Sequence, residues 1–360
     1  MPAFSYGNDP AKVARYRTFW SRGETRRPLV AFTLTGWFPL NDFAVCRSWA
    51  PGSDLTPEKI DPAEFLDDHV RMLREGETMD DDAIRGACPA QLAFPWLPGM
   101  LGAKVRILPG SVVGEERHLP LEEALKVRLD RANPWFRKYM EFGEALAERA
   151  QGAFPVSHAG EIGPTDLHAL LRGSTESLLA PTDDPAATAC LLEKLGAIFA
   201  ELTQEFWKRV PLFEGGYFDA QYCLWAPGSI MRMQEDATAT YSPRLYRRFV
   251  QPVDRAIARR FDNAFMHLHS TSMFLLDAFL EIAEIRCFEI NRDVLGPPLA
   301  AMIPYFQRVQ RAGRPLLIRG SFSPEEMRLL MDSLDPRGLM MLIIVQSMRE
   351  VEPLRPLVGL

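Results

Sequence analysis

Phe265-Met266-His267-Leu268-His269-Ser270-Thr271-Ser272 is an apolar strand pattern that runs into two histidines and a polar turn. Side chains alternate faces along a strand, so His267 and His269 project from the same side. Just beyond, Phe274 to Ala283 carries a helical stripe, and Ile285-Arg286-Cys287-Phe288-Glu289-Ile290-Asn291 reads as a second strand. Strand, helix, strand at this spacing is the repeating unit of a parallel sheet, whose crossovers are normally helical. Two imidazoles on one face of such a strand can share a metal or bracket a polar substrate.

The alternation continues in both directions. Downstream, Leu299 to Ala312 predicts a helix and Pro315 to Gly320 a strand. Ser323-Pro324-Glu325-Glu326 is a capping box that opens another helix, and Leu339 to Gln346 is the final strand. Upstream, Arg27 to Gly36 reads as the first strand, and Pro62 to Thr78 as a helix with Phe65, His69 and Leu73 on one side. Ala103 to Leu108 and Ser111 to Glu116 predict a hairpin across Pro109-Gly110. Asn133-Pro134 opens a helix to about Arg149. Strands are expected at Phe154 to Ala159 and Gly216 to Tyr222, and helices from Thr165 to Arg172, Pro185 to Val210 and Ser242-Pro243 to Phe261. About eight strand–helix units predict an α/β fold closed as a (β/α)8 TIM barrel, one domain, with irregular insertions over residues 37–130. An open doubly wound sheet is the alternative. No GxGxxG follows the first strand and there is no P-loop, so a nucleotide-binding version has no motif behind it.

Composition narrows the classes of function. The chain has 360 residues, 47% of them hydrophobic, and a net charge of −6 with both signs interspersed. That leaves no electrostatic footprint for nucleic acid or an acidic membrane. The arginines at 244, 247, 248, 255, 259 and 260 fall at helical spacing and read as a solvated face. Five scattered cysteines without a CxxC favour free thiols in a reducing compartment. No apolar leader core begins the chain and the longest apolar run, Leu339 to Val345, is too short for a bilayer, so a cytoplasmic protein is expected.

In a barrel the chemistry gathers where strands end. Those positions hold Trp37, His158 with Glu161, Asp219 with Tyr222, His267 with His269, Glu289 with Asn291 and Asp293, Arg319, and Gln346 with Ser347. The plainer reading is also available: a buried histidine is more often a bonded core residue, and these carboxylates can cap helices or pair with Arg292 or Arg319. Gln234-Glu235-Asp236 reads equally as an ordinary solvated loop, and Trp37 and Trp225 as packing. No GxSxG elbow, HExxH or Cys–His pattern is present.

The order of motifs resembles the uroporphyrinogen decarboxylase and cobalamin-dependent methyltransferase superfamily. Arg22-Gly23-Glu24 with Arg26-Arg27-Pro28-Leu29-Val30 is similar to that family's opening. Gly163-Pro164-Thr165 through Leu170-Leu171-Arg172-Gly173 and Asp183-Asp184-Pro185 is similar to its "GP…LxG…DP" region. Glu235-Asp236 followed by Tyr241-Ser242-Pro243 and Phe249-Val250-Gln251-Pro252 resembles "DD…SPxxFxxFVxP", and His267-Leu268-His269 followed by Leu276-Asp277 stands where the methyltransferase branch has H-x-C-G-N and Leu-Asp. The resemblance implies a (β/α)8 barrel, a methyltransferase first and a carboxy-lyase second, with a non-catalytic binding barrel as the third reading. It implies a zinc held by His267 and His269, the latter in place of a cysteine. It also implies a small-molecule substrate and a corrinoid supplied by a partner protein; a homodimer is compatible with it. The branch's later zinc-binding cysteine is missing from Met341 to Ser347, so a third ligand is expected from Glu289, Asp219 or another carboxylate. Glu289, Asp219, Asp236 and Tyr222 are the catalytic candidates. Trp37, His158, Glu161, Asn291, Arg319 and Gln346 are the substrate-binding ones.

Overall fold

A computed structural model describes residues 5–34, 40–92 and 94–360. Trp37, one of the expected substrate contacts, and the end of the first predicted strand at Thr35-Gly36 lie outside the described residues. Ten strands occur among them, in chain order: β1 Leu29–Thr33, β2 Val105–Leu108, β3 Ser111–Gly114, β4 Gly216–Asp219, β5 Leu224–Pro227, β6 Ile230–Gln234, β7 Asn263–Leu268, β8 Ile285–Asn291, β9 Leu316–Gly320 and β10 Leu339–Ile344. Six form one parallel sheet in the order β1-β10-β9-β8-β7-β6. Its strands are buried almost throughout, including all of β7 and β9. Runs rich in Leu, Ile, Met and Phe suit a parallel sheet because crossover helices cover it. Those helices include Pro185–Trp207, Leu299–Arg311 and Pro324–Ser333. The last begins at the expected capping box, with Ser323 and Glu326 each bonding the other's backbone.

The predicted barrel is only partly drawn by hydrogen-bonded strands. Phe154 to Ala159 is not a strand; Val156 makes one parallel bridge to Ala87. Asp82 N–H donates to Val30 O at 2.9 Å, bringing the segment before Ala87 beside β1. Gly216 to Tyr222 does not join the parallel sheet either. β4 ends at Asp219 and pairs antiparallel with β5 in a separate hairpin. The strand that does enter the sheet, β6, lies between Tyr222 and Ser242, where the sequence pattern assigns no element. Gly228, at φ +80, turns the chain out of the hairpin so that Ile230 starts beside Asn263. Helix Ser174–Asp183 was also not expected, since it holds Pro181.

Other expectations hold closely. The β2–β3 hairpin turns at Pro109-Gly110. Helices cover Ala63–Glu77, with Phe65, His69 and Leu73 buried, and Pro134–Ala150. The helix expected from Ser242-Pro243 is interrupted: Tyr246–Val250 widens into a π-type turn before Gln251–Ala258. Pro252 has no N–H to give the preceding turn, which accounts for the widening. Met340 and Met341 are core, the arginines of this helix are mostly exposed, and all five cysteines are free. No described helix is long and apolar enough to cross a membrane.

Register places the polar residues. Gln234 on β6, His267 on β7, Glu289 on β8 and Leu317 on β9 lie in one row across the sheet, and Asn291 sits beside Arg319 one layer further on. Gln234, His267, Glu289, Asn291 and Arg319 thus lie toward the carboxyl ends of their strands, the end where ligands bind in parallel sheets.

Candidate metal centre

β7 stops at Leu268, and His269 remains extended (φ −79°, ψ 157°) before a short helical turn over Ser270–Leu275. The two imidazoles thus stay on the same side, as the alternation predicts, with ring centroids 4.7 Å apart. Each has its Nδ1 held by a carboxylate of the neighbouring strand end. His267 Nδ1 bonds Glu289 Oε2, and Glu289 is fully buried. His269 Nδ1 lies 2.7 Å from Asp293 Oδ1. Asp293 is held in turn by Ser270 N–H (2.9 Å), Ser270 Oγ (2.6 Å) and Asn291 Nδ2 (2.5 Å), and Asn291 Oδ1 accepts from Arg319 at 3.2 Å. A carboxylate on Nδ1 fixes the ring and leaves Nε2 to bind elsewhere.

The two Nε2 atoms face each other at 3.2 Å, and Asp236 Oδ2 lies 3.9 Å from that of His269. Donor atoms of Asp236, His267 and His269 all fall within 4.8 Å of one another. Two nitrogens bound to one tetrahedral zinc at its usual bond length would be about 3.3 Å apart. Two imidazoles, one carboxylate and carboxylates behind both rings are a donor set that fits zinc, with room for a further ligand. Without a cation the same contact is a proton shared between rings. Bonding to Asp293, set against burial, raises the His269 pKa, so a protonated His269 donates through both nitrogens, to Asp293 and to His267 Nε2. Burial would raise the Asp293 pKa, but the bonds from His269 and Ser270 prevail and hold it low.

Asp236 is carried by the segment after β6. Gln234 Nε2 donates to its carboxylate at 2.9 Å, and its backbone N–H donates to Asp166 Oδ2 at 3.1 Å. Next to it, Glu235 is buried and takes Thr165 N–H (2.9 Å) and Oγ1 (2.5 Å) at the start of helix Pro164–Arg172. Burial first, then the nearby Asp254, pushes the Glu235 pKa well up. So Gln234-Glu235-Asp236 is not an ordinary solvated loop; it clamps this segment onto two helices. The approach is close enough to demand glycine at 163, where a Cβ would fall 1.6 Å from Gln234 O.

Tyr222 stands behind His267. Its hydroxyl is 2.8 Å from His267 Nδ1, and burial raises its pKa well above the usual tyrosine value, so it stays protonated. Asp219 is not in this group. Its Oδ1 caps Tyr222 N–H at 3.0 Å and its Oδ2 is 3.9 Å from His158 Nε2. Burial lifts Asp219 to a pKa of about 6 and presses His158 down to about 4. His158 donates its Nδ1–H to Ala159 O at 2.6 Å, and its Nε2 has no hydrogen-bond partner among the described residues. Glu161 accepts from Leu97 N–H at 3.0 Å, and burial raises it to about 8. Its backbone oxygen accepts from Arg232 NH2 at 2.8 Å, while Arg232 NH1 reaches Gln221 (2.6 Å) and Gln234 (2.7 Å). Through Gln234 this buried wall joins the Asp236 end of the centre. Gln346 is exposed past β10, outside the bonded network; its backbone N–H donates to Glu350 at 3.0 Å.

The structure thus brings together His267, His269, Glu289, Asp236, Tyr222, Asn291 and Arg319, and sets His158, Glu161 and Asp219 in an adjoining wall. Asp293, noted at a strand end but given no role, emerges as the partner of His269. Arg232 was missed because its strand was missed. A lone arginine inside Ile230-Met231-Arg232-Met233 was the signal available.

No protein-family profile and no curated protein matches the sequence. Among solved structures, a methyltransferase from Methanosarcina mazei is similar over 99% of this chain and 99% of its own, with a TM-score of 0.64 and 12% identity. At that identity the similarity is one of fold: an α/β protein with a central parallel sheet, in common with a methyltransferase.

Proposed function

We propose that the chain is a metal-dependent methyltransferase, built as a (β/α)8 barrel of the uroporphyrinogen decarboxylase-like kind, with the segments around Ala87 and Val156 completing the wall that the six paired strands leave open. The observation that carries this reading is the convergence of His267 Nε2, His269 Nε2 and Asp236 at the carboxyl ends of adjacent parallel strands, with Glu289 and Asp293 behind the rings. Zinc held there would bind a small acceptor thiol as its thiolate and so supply a nucleophile near neutral pH. Everything else falls to the protein. Glu289 and Asp293 hold both imidazoles in the tautomer that presents Nε2. Asn291 and Arg319 keep Asp293 in place, and Tyr222 closes the space behind His267. His158, Glu161 and Arg232 form a buried wall against which a substrate would be oriented, with Trp37 as a further contact. A corrinoid brought by a partner protein would be the methyl donor.

The test is metal analysis of the purified chain followed by an assay of methyl transfer from a methylated corrinoid to simple thiols. Stoichiometric zinc with thiol-dependent demethylation of the corrinoid is the expected result. A protein that takes up no zinc ends the metal-dependent reading. Zinc uptake without transfer to any thiol leaves a binding barrel.

A further inference from the structure

At the opposite end of the sheet, where β1 and β10 begin, lies a groove of about 500 Å³. Its walls include Arg15, Arg26 and Arg27, with Phe19, Leu29 and Leu339 beneath them. The metal centre sits at the carboxyl ends of the strands, so a whole strand length separates the two. The charges in the groove are unequal. Arg15 Nε reaches Asp82 Oδ1 at 3.2 Å and Arg27 bonds both Asp82 oxygens, its NH2 at 3.0 Å. Val30 N–H also donates to that carboxylate at 3.0 Å. Asp82 is therefore saturated by two guanidiniums and an amide, and one positive charge is left over. Arg26 is exposed and makes no hydrogen bond or ion pair among the described residues, and it adds a second. The acidic residue on the rim, Glu24, meets Arg337 at 3.3 Å, a guanidinium that Asp335 holds more closely, at 2.6 Å.

Guanidinium groups present paired N–H donors that match phosphate oxygens, and several around one space favour a dianion over a single carboxylate. A phosphate ion alone would leave most of the volume empty, since grooves of this size hold small organic ligands. The apolar floor suits the body of such a ligand. Gly338 and Gly359, at φ +67 and +77, keep the remaining wall low: a Cβ on either would meet Arg22 or Arg27 within 3.0 Å. We propose that this groove is a second ligand site, for a small phosphate ester whose phosphate is held by Arg15, Arg26 and Arg27 and whose apolar part rests on Phe19 and Leu339. It does not depend on the chemistry proposed for the metal centre.

The test titrates the full-length chain with inorganic phosphate, pyrophosphate and AMP, by calorimetry and by thermal denaturation, with sodium chloride at equal ionic strength as the control. AMP binding tighter than phosphate, lost at least tenfold in R26Q and in R15Q, is the expected result. Equal affinity for phosphate and AMP still supports the anion site and assigns it to the free ion. Absence of binding by all three, or binding undiminished in the R15Q/R26Q double variant, overturns it. Arg26 has no hydrogen-bond or ion-pair partner among the described residues, so R26Q keeps the folded signal in circular dichroism, which separates loss of this site from loss of the fold.

Discussion

Two histidine sites stand on adjoining walls of the same interior, and they are wired differently. On β7 and β8, His267 and His269 each bond a carboxylate through Nδ1 and turn Nε2 toward the other ring at 3.2 Å. Across from them, His158 spends Nδ1 on a backbone oxygen, and its Nε2 stays 3.9 Å from Asp219, beyond hydrogen-bond reach. The electrostatics follow. Bonding to a carboxylate raises His269, and burial without such a bond lowers His158 to about 4. Residue type is the same; what differs is whether a carboxylate lies within hydrogen-bond reach of the ring. The first site is prepared to hold a cation, while the His158 ring stays neutral.

The sharpest way to break this contrast is to remove the rings. H267A and H269A should each lose essentially all bound zinc by metal analysis, while circular dichroism stays that of the folded chain. If either variant keeps its metal, the site is elsewhere. Next in size is the carboxylate behind the ring. D293N keeps the shape but no longer holds the His269 tautomer, and zinc affinity measured against a chelator should fall by about 10–100-fold. An unchanged affinity would make Asp293 a loop-ordering residue only, serving Ser270 rather than the metal.

The parts of this centre that could be read in advance are those where one strand supplies the whole pattern. The period of two puts His267 and His269 on one face and Glu289 on the same face as Asn291, and the flanking helices identify the strands as parallel. What could not be read is whatever depends on a partner strand. The pairing of Glu289 with His267 rests on a register between β7 and β8 that shifts at Ala264 and Phe265, and nothing local encodes it. By sequence, Asp219 and Asp236 are both catalytic candidates. Only the hairpin geometry of β4 and β5, which carries Asp219 to His158, tells them apart. Phe154 to Ala159 has a strand's composition yet forms a single bridge, so propensity there yielded to packing against Ala87.

Acidity offers a smaller effect that tests the shared proton. His269 is raised, so in the metal-free chain its ion pair with Asp293 stabilises the fold fully below the unfolded histidine pKa. That contribution is lost as pH rises through the higher folded value. A metal must displace the same proton. Zinc affinity should therefore fall roughly tenfold per pH unit below the folded pKa and level off above it. Chelator competition between about pH 8 and about pH 6 covers the change. A flat profile would mean that His269 is neutral in the metal-free chain and that no proton bridges the rings.

The smallest expected effect belongs to His158. Its neutral ring is held by one bond to Ala159 O and by edge contact with Trp207, 5.2 Å between centroids. H158Q keeps a donor at a similar reach but gives up the ring contact, and should cost about 1 kcal/mol in denaturant unfolding. Because no hydrogen bond joins His158 to either metal-centre histidine, zinc affinity should stay within about twofold. A large loss of zinc in H158Q would show that the two walls act as one unit through Asp219 and Tyr222. In that case the contrast between a wired pair and an isolated one would give way to a single extended network reaching His267 through the Tyr222 hydroxyl.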